Sequence, residues 1–156
     1  MDQAIHEYLK SVDVEGHWEF PPETSYICTF ENLLSFKERL EKLTSSPLDI
    51  DKNVQDASYI TDIGILNERY YDREKQSGVI IYHFAFCFSN FGNMFTLMLS
   101  KDLGVEEKYN LIECISYLTS CGLKYIPESE LQTDYDGINK PHRKGFTWWV
   151  RYFDYL

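Results

Sequence analysis

The chain has 156 residues, 25 of them acidic against 15 Lys and Arg, for a formal net charge of -10. That surplus repels nucleic-acid phosphates and anionic membranes and favours encounter with a basic partner. With 44% hydrophobic and 16% aromatic residues, there is enough apolar material to exclude a disordered chain, and the length points to a single globular domain over residues 1–156.

The opening residues, Met1 to Glu7, supply neither the basic nor the apolar region of a secretory signal. No run reaches the roughly 20 apolar residues that cross a bilayer. A cytoplasmic location is therefore expected. Asp2 can cap a short helix to about residue 10, with Ile5, Tyr8 and Leu9 as its apolar stripe. After the Pro21-Pro22 break, residues 26–30 are rich in aromatic and β-branched types and predict a strand. Asn32 then offers a cap to a helix over 33–43, where Leu33, Phe36, Leu40 and Leu43 recur at helical spacing before Ser45-Ser46-Pro47 ends it. Residues 48–55 read as a loop. A strand is expected over 57–66, then a polar segment over 67–78 that turns the chain, with Tyr70 and Tyr71 able to extend pairing.

The strongest local pattern is a hairpin of 79–88 and 94–99, joined through Ser89-Asn90-Phe91-Gly92-Asn93. Ile80, Tyr82, Phe84, Phe86 and Phe88 are all large, and the alternate residues are smaller, so both faces are apolar and a central strand is predicted. A helix over 105–121 follows, with Gly122 beyond its end. Next come a short strand over 123–126, an acidic loop holding Glu128, Glu130, Asp134 and Asp136, and a basic turn at Lys140, Arg143 and Lys144. The aromatic stretch 146–155 reads as the last strand, on which Trp148 and Trp149 would point to opposite faces. This order predicts an α+β fold: a largely antiparallel sheet with two main helices packed on it.

Local chemistry is sparse. Cys28, Cys87, Cys114 and Cys121 lack the C-x-x-C spacing of zinc or redox sites and read as buried free thiols. A disulfide between Cys114 and Cys121 would have to span about 10.5 Å of helix rise. Among His6, His17, His83 and His142 no pair has metal-ligand spacing. His83 could border a small-ligand or catalytic pocket beside Tyr82. A hydrogen-bonded strand histidine is the favoured reading, since no nucleophile is identifiable beside it. Asp134-Tyr135-Asp136-Gly137 superficially resembles a calcium loop, but the twelfth position from Asp134 is Gly145. Phosphate-loop, dinucleotide and nucleophile-elbow motifs do not occur. No catalytic residue, metal or cofactor is assigned.

The acids are clustered. Residues 1–31 hold Asp2, Glu7, Asp13, Glu15, Glu19, Glu23 and Glu31 against Lys10 alone, and 128–136 holds four acids and no base. Each cluster carries aromatics, Trp18 and Phe20 in the first and Tyr135 in the second. Steering charge around an aromatic anchor suits recognition of a basic protein. The expected partner-binding residues are Glu15, Trp18, Glu19, Glu23, Glu128, Glu130, Asp134, Tyr135 and Asp136.

In general character the chain resembles the small acidic immunity proteins encoded beside bacterial polymorphic or contact-dependent toxins. The segments 89–93 and 148–153 suggest a recurring sheet pattern of that kind, and no family residue is carried over. The resemblance implies a stoichiometric inhibitor that binds a cognate toxin, often a basic nuclease, and blocks its active or substrate surface. The alternatives are a phage-type anti-defence protein that imitates DNA, and a small enzyme or ligand-binding domain with a pocket near His83. Oligomeric state is not legible in the sequence.

Overall fold

The computed structural model describes residues 1–22, 27–51, 54, 57–72, 77–102, 104–141 and 144–154, with backbone alone for 68–72 and 77–80. Helix α1 (Gln3–Ser11) starts where the Asp2 carboxylate accepts from the amides of Ala4 and Ile5 at 2.9 and 3.1 Å. Its Leu9 is buried, and the Tyr8 hydroxyl donates to the Gly92 carbonyl, tying α1 to the turn at 89–93.

Helix α2 (Phe30–Thr44) begins earlier than predicted, and residues 27–30 form no strand. Thr29 is the cap, accepting from the Asn32 amide at 3.2 Å, while the Asn32 side chain donates back to the Ile27 carbonyl at 2.8 Å. These local side-chain bonds outcompete the β propensity of the segment. Tyr26 lies outside the described residues. Leu33, Phe36, Leu40 and Thr44 form the buried stripe of α2.

Among the described residues five strands make one sheet in the order β1-β2-β3-β4-β5: β1 (Asp49–Ile50), β2 (Tyr59–Asp72), β3 (Ser77–Ser89), β4 (Met94–Leu99) and β5 (Lys124–Tyr125). The first three pairings are antiparallel and β4–β5 is parallel. Part of the expected loop 48–55 is thus an edge strand. The expected polar turn is largely paired backbone, since Tyr70 lies opposite Val79, Tyr71 opposite Gly78, and the ladder continues to Asp72 and Ser77.

Over residues 84–88 both faces of β3 are covered. Phe84, Phe86 and Phe88 pack with α2 and with Leu111, Cys114 and Leu118, while Cys87 packs with Leu9, Met94, Trp148 and Tyr152 on the other side. The predicted helix over 105–121 is two helices, α3 (Val105–Lys108) and α4 (Leu111–Ser120). Asn110 breaks them apart at φ 52°, a left-handed conformation that asparagine tolerates, and its side chain donates to the Leu43 carbonyl at 3.1 Å. Burial pushes the thiols of Cys28 and Cys114 up to about 12 and 11, in keeping with inert packing.

The acidic loop contains a short helix, α5 (Glu128–Leu131), and the aromatic C-terminal segment is helical where a strand was predicted. In α6 (Trp148–Tyr152) the Thr147 hydroxyl accepts from the Val150 amide at 3.4 Å, and Trp148 stacks on Tyr152 one turn on, ring centroids 5.7 Å apart. Tertiary packing of that i, i+4 pair decides against β propensity. Trp148 is fully buried and Trp149 partly so. The architecture is α+β, with α2 and α4 on one face of the sheet and α1, α5 and α6 contributing to the core on the other. No helix among the described residues is long and apolar enough to cross a membrane.

A candidate acidic interface

Asp13, just past α1, is the centre of a buried polar knot. Its side chain is 1% exposed and that of its partner Arg151 is 0% exposed. Arg151 Nε donates to Asp13 Oδ1 at 2.8 Å, and Asn139 Nδ2 reaches the same oxygen at 3.0 Å. Asp13 Oδ2 accepts from the Ile138 amide at 2.9 Å and from the Tyr135 hydroxyl at 2.5 Å. The rest of the guanidinium is also occupied, with Nη1 on the Trp18 carbonyl at 3.2 Å and Nη2 on the His17 carbonyl at 2.8 Å. It lies 4.3 Å from the Phe91 ring centre and 4.8 Å from that of Tyr152. A buried ion pair is tolerable only when its remaining donors and acceptors are satisfied in this way.

The consequence is topological. Tyr135 and Asp13 stand 122 positions apart in sequence, and their contact joins the two acidic clusters. Asn139 extends the joint, accepting from the Gly16 amide at 2.7 Å and donating to the Val14 carbonyl at 3.0 Å. A second seam runs along α1: the Asp2 amide donates to Glu130 at 2.7 Å, and Lys10 and His6 each lie 2.7 Å from a carboxylate oxygen of Asp136. Hydrogen bonds from Lys10 and then His6 hold the Asp136 carboxyl below its ordinary value.

Gly137 sits inside this knot, where a β-carbon would overlap the Asp13 carboxylate and the Tyr135 hydroxyl. Gly137→Ala is therefore expected to lower unfolding free energy by about 1–3 kcal/mol, measured by urea denaturation. An unchanged midpoint would mean that the 135–139 turn yields without disturbing Asp13.

The expected site residues divide accordingly. Tyr135 is buried, and burial followed by its bond to Asp13 pushes its phenol up, so it is an internal strut rather than an exposed anchor. Trp18 is half-buried, edge-on to Phe146 at 5.7 Å. Glu130 and Asp136 serve the α1 seam. Glu15, Glu19, Glu128 and Asp134 are exposed and have no cationic partner among the described residues. Glu23 and Arg143 lie outside the described residues. Two apolar side chains outside the expected partner-binding set stand on the same segments, each 57% exposed: Phe20, visible in the sequence as an aromatic of the first cluster, and Ile138, which the sequence does not single out. Asp13 was counted among the acids and Arg151 among strand residues; a lone charge in the run Trp148 to Phe153 was the available sign that a buried partner exists.

His83 is on β3 with Nδ1 3.4 Å from Asp102 Oδ2, and the Ser100 hydroxyl donates to that same carboxylate at 3.0 Å. The hydroxyl serves the acid, not the imidazole, so this trio lacks the nucleophile-to-base contact of a hydrolase. Among the described residues no group of three or more His, Cys, Asp or Glu could hold a metal ion. No protein-family model, curated protein or solved structure matches the chain, so the geometry of this face is the guide to its function.

Proposed function

We propose that the chain is a protein-binding inhibitor that docks a basic partner on the face built from 13–20 and 128–139, in the manner of a toxin-neutralising immunity protein. The observation that carries this reading is the Asp13–Arg151 knot, which fixes two distant acidic segments against each other. Glu15, Glu19, Glu128 and Asp134 supply the long-range field. Phe20 and Ile138 supply apolar surface that can be desolvated on contact. Because the acids are anchored on a rigid base, little side-chain or loop ordering remains to oppose binding.

The experiment is co-purification with the product of the neighbouring gene, followed by stopped-flow association. The rate constant is expected to fall with rising salt. Reversal of Glu15, Glu19, Glu128 and Asp134 to lysine should lower it at least ~10-fold, in the range that steering supplies. Reversal of Glu38 and Glu113, which lie on α2 and α4, is the control and should leave it nearly unchanged. Equal effects of the two sets would refute a localised face.

A further inference from the structure

Strand β3 outruns its neighbour. Its last pairing with β4 is Phe84 with Leu99, after which the Ser100 amide donates to the His83 carbonyl at 2.9 Å and the chain leaves the ladder. β3 itself begins at Ser77, so residues 77–82 continue with β2 on one side and, among the described residues, no strand on the other. Such an edge is a template for another strand unless it is guarded by charge, proline or a covering element. Residues 77–100 contain no Asp, Glu, Lys, Arg or Pro, whereas β2 across the hairpin carries Glu68, Arg69 and Asp72 in its sequence. At the inner end of the open edge Ile81 and Leu99 are 41% and 37% exposed.

We propose that this edge is a self-association surface, on which a second copy of the chain adds its own β3 antiparallel about a two-fold axis. Charge selects that occupant. A basic partner is drawn to the acidic face, and two molecules of net charge -10 repel wherever acids meet acids. Residues 77–82 carry no formal charge of their own, with Asp102 standing against His83 just past their inner end, and this edge is where the two copies can approach. β3 has 13 residues, roughly 40 Å at about 3.3 Å per residue. Its far end adjoins the acidic face, where the Asn90 side chain donates to the Glu19 carbonyl at 3.0 Å. That distance is several Debye lengths of about 8 Å at physiological ionic strength, so repulsion between the acidic faces is screened across the axis. A two-fold antiparallel pairing is isologous: each copy offers the other the same main-chain groups and the same Ile81 and Leu99 side chains. It leaves both acidic faces pointing outward.

The test is sedimentation velocity of the full chain from low to high micromolar concentration, at low and high salt. A monomer–dimer equilibrium is expected, unweakened by salt because no charged pair crosses the edge. Ile81→Lys and Leu99→Lys, each at a partly exposed position, should abolish the dimer with unchanged circular dichroism and thermal midpoint. Ile112→Lys, on the solvent face of α4, should leave it intact. A wild-type chain that stays monomeric throughout overturns the proposal, as does a dimer that survives Ile81→Lys or dissolves in high salt. A monomer that takes up an extended segment of another protein at this edge overturns it equally.

Discussion

Replacing Arg151 with methionine is expected to remove about 3–5 kcal/mol of unfolding free energy, the cost of stranding a buried carboxylate without its counter-charge. Methionine keeps an apolar stem of similar length beside Phe91 and Tyr152, so the loss reports the guanidinium rather than a cavity. For a domain of this size that corresponds to a fall in Tm on the order of 10 °C. The three oxygens that Arg151 now serves, on Asp13, His17 and Trp18, come from the segment after α1. Loss of the guanidinium should therefore also speed proteolytic cleavage within 13–20. Combining Asp13→Leu with Arg151→Met does not restore stability, because the Tyr135 hydroxyl and the Ile138 amide then lose their acceptor. Under the partner-binding reading, Arg151→Met weakens association although Arg151 is itself inaccessible. A stability within about 1 kcal/mol of wild type would show that the remaining donors suffice to hold Asp13, and the rigid-base argument would fail.

How far the sequence reaches depends on how local the deciding contact is. The β3–β4 hairpin and the apolar stripe of α2 were legible because alternation and helical spacing express themselves within a dozen residues. The break at Asn110 was not, since it is stabilised by the carbonyl of Leu43, 67 positions away. α6 misled for a related reason: Trp148, Val150 and Tyr152 favour a strand in isolation, and the Thr147 cap and the buried Trp148–Tyr152 stack override them. The candidate face was half legible. Its acids were visible as clusters, but the 138-position contact of Asp13 with Arg151 leaves no periodic trace. Tyr135, read as an anchor because of its acidic neighbours, is the residue whose burial holds those neighbours in place.

The second large effect concerns Asp62, and its sign is opposite to that of the knot. Asp62 lies opposite Cys87 in the β2–β3 ladder, is 8% exposed, and has one carboxylate oxygen, Oδ1, without a hydrogen-bond partner among the described residues. Burial raises its pKa from 3.8 to about 6; a hydrogen bond with Cys87 opposes the rise and the charge of Asp51 adds to it. A folded-state value above the unfolded one means that the native protein binds the proton more tightly. The favourable contribution is complete below the unfolded pKa of 3.8, falls as pH rises, and is lost once pH passes about 6. A difference of roughly 2 units is worth about 3 kcal/mol. Asp62→Asn keeps the shape and removes the titration. Its stability relative to wild type is therefore expected to be near zero at pH 4 and to rise to as much as about 3 kcal/mol in favour of the variant by pH 7 to 8. Taking this difference across pH cancels the general repulsion of a chain with net charge -10 and the opposite shifts of Glu41 and Asp136, whose carboxyls are held low by their hydrogen bonds. Urea denaturation of both proteins at intervals from pH 4 to pH 8 measures it directly, and a difference that stays constant over that range would rule out Asp62 as the buried acid that costs the fold stability at neutral pH.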